Sequence, residues 1–162
     1  MSVLTVDLGT SATKAALWDG ASLVALARAP LATTHPRPGW AEQDPASWWG
    51  SLVAACADLR AAEPVAFAAI EAVGFSAARE TFALFDADLV PCSAGILWSD
   101  ARAVDEVATL GDPSAFRPRT GVIASPGCCA AKVAWSDPYE PTTEPPPCRS
   151  TPRPKSASDS SA

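Results

Sequence analysis

The chain has 162 residues, 48% of them hydrophobic, enough for one domain with a buried core. Eighteen acidic against twelve basic side chains leave a net charge of −6, which argues against nucleic acid or an anionic membrane surface as a partner. No apolar run approaches a membrane span, and the N-terminus lacks the basic region of a signal peptide, Asp7 interrupting the only early apolar run.

The first element is a tight hairpin. Val3–Asp7 and Ala15–Trp18 read as buried strands around the turn Gly9-Thr10-Ser11, whose small side chains and backbone N–H groups can let a phosphate approach. Asp7 at the strand end could hold a metal ion or its waters, and Lys14 could add a positive charge. The spacing is not that of a Walker P-loop, and an ordinary hairpin whose Asp and Thr serve the turn stays open. Asp19-Gly20 turns into a third antiparallel strand over Ser22–Arg28.

A polar loop, 35–43, leads to Asp44-Pro45, an N-cap followed by proline at the first helical position. The helix predicted from there to about Ala62 places Trp48, Trp49, Leu52, Val53, Cys56 and Leu59 on one core-facing stripe, and Pro64 ends it. Strands are predicted at Ala72–Ser76 and Thr81–Asp86, flanking the loop Ala77-Ala78-Arg79-Glu80, and the apolar Ile96-Leu97-Trp98 then runs into Ser99-Asp100. Asp100 reads as a cap for a helix from Ala101 to about Leu110. The segment Gly121–Trp135 begins another helical pattern. Strands in series with intervening helices mean an α/β fold.

From Ser136 to Ala162 there are seven prolines and six serines and no Leu, Ile, Val, Phe or Trp, a composition that predicts disorder. An out-of-frame extension and a natural Pro/Ser-rich tail would both look like this. The five cysteines fit neither a zinc knuckle nor a C-x-x-C pair and read as reduced thiols of a cytoplasmic protein.

Five blocks, taken together, resemble the start of an FGGY-type carbohydrate kinase. They are Asp7-Leu8-Gly9-Thr10-Ser11 with Lys14, then Pro38–Pro45 with Trp48-Trp49, then Gly74-Phe75-Ser76 leading to Arg79-Glu80-Thr81, then Ile96–Arg102, and last Pro126 through Lys132 to Trp135. The resemblance implies an incomplete ribonuclease H-like lobe of the actin-like ATPase and sugar-kinase type over 1–135, followed by a separate tail over 136–162. It implies ATP and magnesium as cofactors and a small-molecule sugar or polyol as partner, and leaves a homodimer of the full-length protein open. Carried over residue by residue, it puts Asp7, Gly9, Thr10, Ser11 and Lys14 at the nucleotide phosphates, with Asp7 at the metal, and Arg79, Glu80 and Trp98 at the sugar. The plain alternative for Arg79-Glu80 is a solvated turn with a surface ion pair. Asp100 is expected only to cap, and Lys132 and Arg102 to be structural or solvated. The family's catalytic base is expected downstream of Trp135, so the resemblance assigns no catalytic residue to this chain. A xylulose-kinase-like segment at Trp40 and a glycerol-kinase-like one at Arg79-Glu80-Thr81 leave the sugar undecided. A non-catalytic sugar- or partner-binding module and an actin-like ATPase scaffold are the alternative readings.

Overall fold

Alternation along the first strand sets the architecture. In β1 (Ser2–Leu8), Ser2, Leu4 and Val6 are buried on one face, while Thr5 is exposed on the other. The computed structural model describes residues 1–136, so of the tail predicted over 136–162 only Ser136, which is helical, lies within them. After β1 come β2 (Ala12–Asp19), β3 (Ser22–Pro30), β4 (Glu42–Gln43), α1 (Pro45–Ala62), α2 (Pro64–Ala68), β5 (Ile70–Ala77) and β6 (Gly95–Ile96). A 3₁₀ turn over Asp105–Leu110, α3 (Pro113–Thr120) and α4 (Cys129–Ser136) complete the order.

The main sheet has the order β3-β2-β1-β5. The first three strands form an antiparallel meander, with Asp7 opposite Lys14 and Leu8 opposite Thr13. Strand β5 lies parallel to β1, with Asp7 beside Ser76 and Leu8 beside Ala77. A parallel neighbour needs a crossover, and α1 supplies it by packing on the sheet. Its N-terminus is built as the sequence predicts: Asp44 accepts from Ala46 N at 3.0 Å and Pro45 takes the first helical position. Leu4, Val6 and Ala15 meet Ala29, Ala55 and Leu59 in the core, which Leu52, Cys56, Phe67 and Ile70 extend. A second cluster, Ala103, Cys128 and Ala131 with Val107, Phe116 and Trp135, joins the 3₁₀ turn, α3 and α4.

Several expectations change here. The stripe on α1 is narrower than predicted: its most buried positions are Ser51, Ala55 and Leu59, and Trp49 stands 70% exposed. Small residues on helix and sheet (Ala55, Ala15, Ala27, Ala29) let the two approach closely, so the bulkier side chains fall to the flanks. Thr81–Asp86 is not a strand; it is tied by isolated bridges, Phe82 to Ile96 and Phe85 to Pro91. There is no α-helix from Ala101, and Asp100 caps none, because its carboxylate is spent elsewhere. The short helices α2 and α3 were not foreseen, α3 carrying Pro118 inside it. Cys56, Cys128 and Cys129 are free thiols, but Cys92, on a surface loop, is disulfide-bonded, against the expectation of reduced thiols throughout. Among the described residues no helix is long and apolar enough to cross a membrane.

Candidate active site

Two parallel strand ends carry the candidate site. Ala78 N donates to Leu8 O at 3.1 Å, so the turn after β1 and the loop after β5 leave the sheet side by side. In sheets of this kind ligands collect outside the carboxyl ends of parallel strands. Gly9-Thr10-Ser11 comes after the first strand, and Arg79-Glu80 after the second.

The turn presents donors. The backbone N–H groups of Gly9, Thr10 and Ser11 donate to no described residue. A Cβ at Gly9 would stand 3.0 Å from Ala12 O, a tight approach that glycine makes without any shift of that carbonyl. Across the ladder Lys14 Nζ lies 3.2 Å from Asp7 Oδ2, both side chains about half exposed. They line a cleft of about 450 Å³ with Thr5, Gly74 and Ser76. Asp7 is a lone carboxylate there, and among the described residues no three potential ligands cluster for a metal ion. That donor set does not make a protein cage. It suits magnesium, which keeps several waters and is held by one or two carboxylates together with phosphate oxygens.

The turn is held from two sides. Gln43, nearly fully buried, donates to Thr10 O at 2.6 Å and to Thr33 Oγ1, and accepts from the Trp48 indole at 2.8 Å. From the other side the Trp98 indole N–H donates to Thr10 Oγ1 at 2.8 Å. A residue predicted for the phosphates and one predicted for the sugar are therefore in direct contact. With its N–H engaged, Trp98 offers an exposed ring face, the part of an indole that packs on the C–H surface of a polyol.

Arg79 and Glu80 part ways. Arg79 is exposed and makes no hydrogen bond or ion pair to a described residue. Glu80, at φ 61°, turns its carboxylate to the N–H of Cys129 at the start of α4, and no surface ion pair joins the two neighbours. One carboxylate oxygen is thus committed to the helix end, where a negative charge is favoured.

Beneath Trp98 lies a buried polar cluster. Asp100, fully buried, accepts from Ala41 N at 2.7 Å, from Arg102 N and Nε at 2.9 Å, and from Arg102 Nη2 at 2.7 Å. Arg102 also reaches Glu42 Oε1 at 2.7 Å, and its guanidinium lies over Trp40 and Trp135, which meet edge to face. Burial pushes the Asp100 carboxyl up, but the Arg102 and Ala41 hydrogen bonds and the Arg102 charge outweigh it and hold it below its ordinary value. Lys132, fully buried, donates to Leu97 O at 2.8 Å and to Glu80 O. Burial lowers its ammonium, with Cys129, Asp100 and Glu80 pulling the other way. Gln43, Asp100 and Lys132 are the residues whose part the sequence reading missed. Only Lys132 left a signal, as the one charged side chain in the run Cys128–Trp135; Gln43 lies in the polar loop 35–43 and Asp100 beside Ser99 and close to Arg102.

A model of the FGGY family of carbohydrate kinases, N-terminal domain, matches residues 2–144. The chain belongs to the FGGY family. It is 32% identical over 139 residues to glycerol kinase of Citrifermentans bemidjiense, covering 82% of this chain and 28% of the relative. Against xylulose kinase of Klebsiella pneumoniae it is 34% identical over 137 residues, covering 83% and 28%. The chain thus spans less than a third of the length of the curated relatives it matches. Among solved structures, a xyloylose kinase from Brucella ovis superposes with a TM-score of 0.79 at 42% identity, over 83% of this FGGY chain and 29% of that one. Xylulose kinase from Rhodospirillum rubrum superposes with a TM-score of 0.80 at 32% identity, over 87% and 30%. The mixed α/β sheet expected from the resemblance is the sheet found.

Proposed function

We propose that this FGGY chain is the phosphate-turn and sugar-loop part of an ATP-dependent carbohydrate kinase, residues 1–135 forming a partial first lobe. The reaction is transfer of a phosphoryl group to a hydroxyl of a small sugar or polyol. One observation supports this most: the Trp98 indole bonded to Thr10 brings the two predicted half-sites together. MgATP, when bound, supplies the phosphoryl group and a cation that neutralises its oxygens. The chain's own residues bind and orient. The N–H groups of Gly9, Thr10 and Ser11 and the ammonium of Lys14 take phosphate oxygens, and Asp7 takes the metal or its waters. Glu80 through its second oxygen and Arg79 take sugar hydroxyls, with Trp98 beneath the ring. A cytoplasmic setting goes with this reading; the free thiols Cys56, Cys128 and Cys129 favour it and the bond at Cys92 does not.

No base for the acceptor hydroxyl is assigned within the chain, and losing a positioned base alone costs about 10² to 10⁴ in rate. The 162-residue polypeptide is therefore expected to show no sugar-dependent ATP turnover in a coupled assay with glycerol, xylulose or gluconate. It is expected to bind MgADP, read as slowed amide exchange at residues 9–11, and Asp7→Asn is expected to weaken that binding. Clear turnover would overturn the fragment reading; no protection at any nucleotide concentration would overturn the phosphate assignment.

A second reading, a non-catalytic binding module, is favoured by one feature: a groove of about 440 Å³ between α1 and β5, lined by Trp49, Val53, Val73 and Phe75.

A further inference from the structure

Lys132 is buried where neither half-site calls for a charge. Its side chain is 0% exposed; its ammonium donates to the carbonyls of Glu80 and Leu97, with the Phe82 ring 6.0 Å away. Taking an ammonium out of water is costly, and an apolar side chain of similar length would fill the same space without that cost. Packing alone therefore does not account for a lysine here.

Its contacts do. Glu80 holds φ 61°, a conformation that a side chain other than glycine's keeps only when its surroundings over-determine it. Two bonds fix it, the Cys129 N–H on its carboxylate and the Lys132 ammonium on its carbonyl, both from α4. Leu97 is the residue before Trp98, and Trp98 N donates to Thr81 Oγ1 at 3.1 Å. One ammonium thus ties a segment 52 residues away to another 35 residues away. Both segments end in side chains assigned to the sugar.

We propose that Lys132 is a positioning residue of the sugar subsite, its ammonium clamping the Glu80 and Leu97 carbonyls so that Glu80 and Trp98 are set before a ligand arrives. This rests on the assignment of Glu80 and Trp98 to the sugar. The clamp itself does not, and the two are separable by experiment.

The first measurement uses the wild-type chain: timed acetylation read by mass spectrometry, with half-exposed Lys14 as internal reference. Lys132 is expected to react at least about a hundredfold more slowly, because it must await a local opening; equal rates overturn the clamp. The second is amide exchange in Lys132→Met. Faster exchange is expected at Phe82, Ile96, Trp98 and Cys129, whose N–H groups close the clamped segments, with β1 and β2 unchanged. Unchanged exchange at those four overturns the proposal. Faster exchange everywhere means the variant has not folded, and the acetylation result then decides.

The third measurement tracks protection of the same amides by glycerol and by xylulose. Lys132→Met is expected to need about tenfold more of either, the lower end of the range found for residues that orient a metal's ligands. Equal affinity in variant and wild type overturns the positioning role. No protection in the wild type, with the first two results as expected, removes the sugar assignment and leaves a clamp that positions no subsite, which also overturns the proposal as stated.

Discussion

At the scale of single residues, the site depends on side chains that never face a ligand. Gln43 is the clearest: one amide bonds Thr10, Thr33 and Trp48. Trp48 reaches it only because Gly95, on β6, has no side chain; a Cβ there would overlap the Trp48 ring. Gly95→Ala is therefore expected to destabilise by about 1–3 kcal/mol, the usual cost of overpacking. It should also release the Trp48 indole from Gln43 and loosen the Thr10 turn. Chemical denaturation gives the first effect and amide exchange at residues 9–11 the second. A variant as stable as wild type, with the turn equally protected, would show that Trp48 can move aside without cost.

At the scale of elements, β1, β2, β3, β5 and α1 were legible because each rests on local chemistry: period-two alternation, a glycine-containing turn, or Asp44-Pro45 at a helix start. The stretch from Ala78 to Leu110 was not, because long-range bonds decide it. Asp100 stands where a cap belongs, yet its oxygens go to Ala41, fifty-nine positions away, and to Arg102, so no helix starts at Ala101. Thr81–Asp86 holds a short apolar run like that of a buried strand, but an Asx-type turn, with Asp88 N and Val90 N on Asp86 Oδ1, folds its end back. The site was legible to a similar degree. Trp98 meets the turn at Thr10, while the commitment of Glu80 to α4 depends on a helix distant in sequence.

The Asp100 cluster makes a pH prediction at this scale. A carboxyl whose folded pKa is lowered binds its proton less readily folded than unfolded, so it adds stability above its unfolded value, about 3.9, and loses it as pH falls towards the folded one. Asp100→Asn is expected to cost about 1–3 kcal/mol at neutral pH, where Arg102 keeps Glu42 but loses a charged acceptor. The gap between variant and wild type should narrow below about pH 4. Denaturation midpoints of the two proteins between neutral pH and about pH 3 test this; a gap independent of pH would mean that the cluster holds the Asp100 proton no differently folded than unfolded.

For the whole molecule, the decisive feature is an edge. Among the described residues strand β5 is the outer strand beside β1, and of its eight residues only Ile70 is even partly buried. It carries a single charge, Glu71, and no proline or lysine, while Val73 and Phe75 are more than half exposed. An edge of this kind presents unpaired N–H and C=O groups beside apolar side chains, the combination that natural sheets blunt with charge, proline or a covering element. The other edge, β3, carries Arg28 and ends at Pro30. The 162-residue chain is therefore expected to self-associate through β5, its mass by light scattering rising with concentration. A lysine at Val73→Lys should suppress that rise, whereas Val24→Lys on β3 should not. If the wild type stays monomeric across the range, the edge is covered in solution; if both variants act alike, association runs through a different surface and β5 is not its cause.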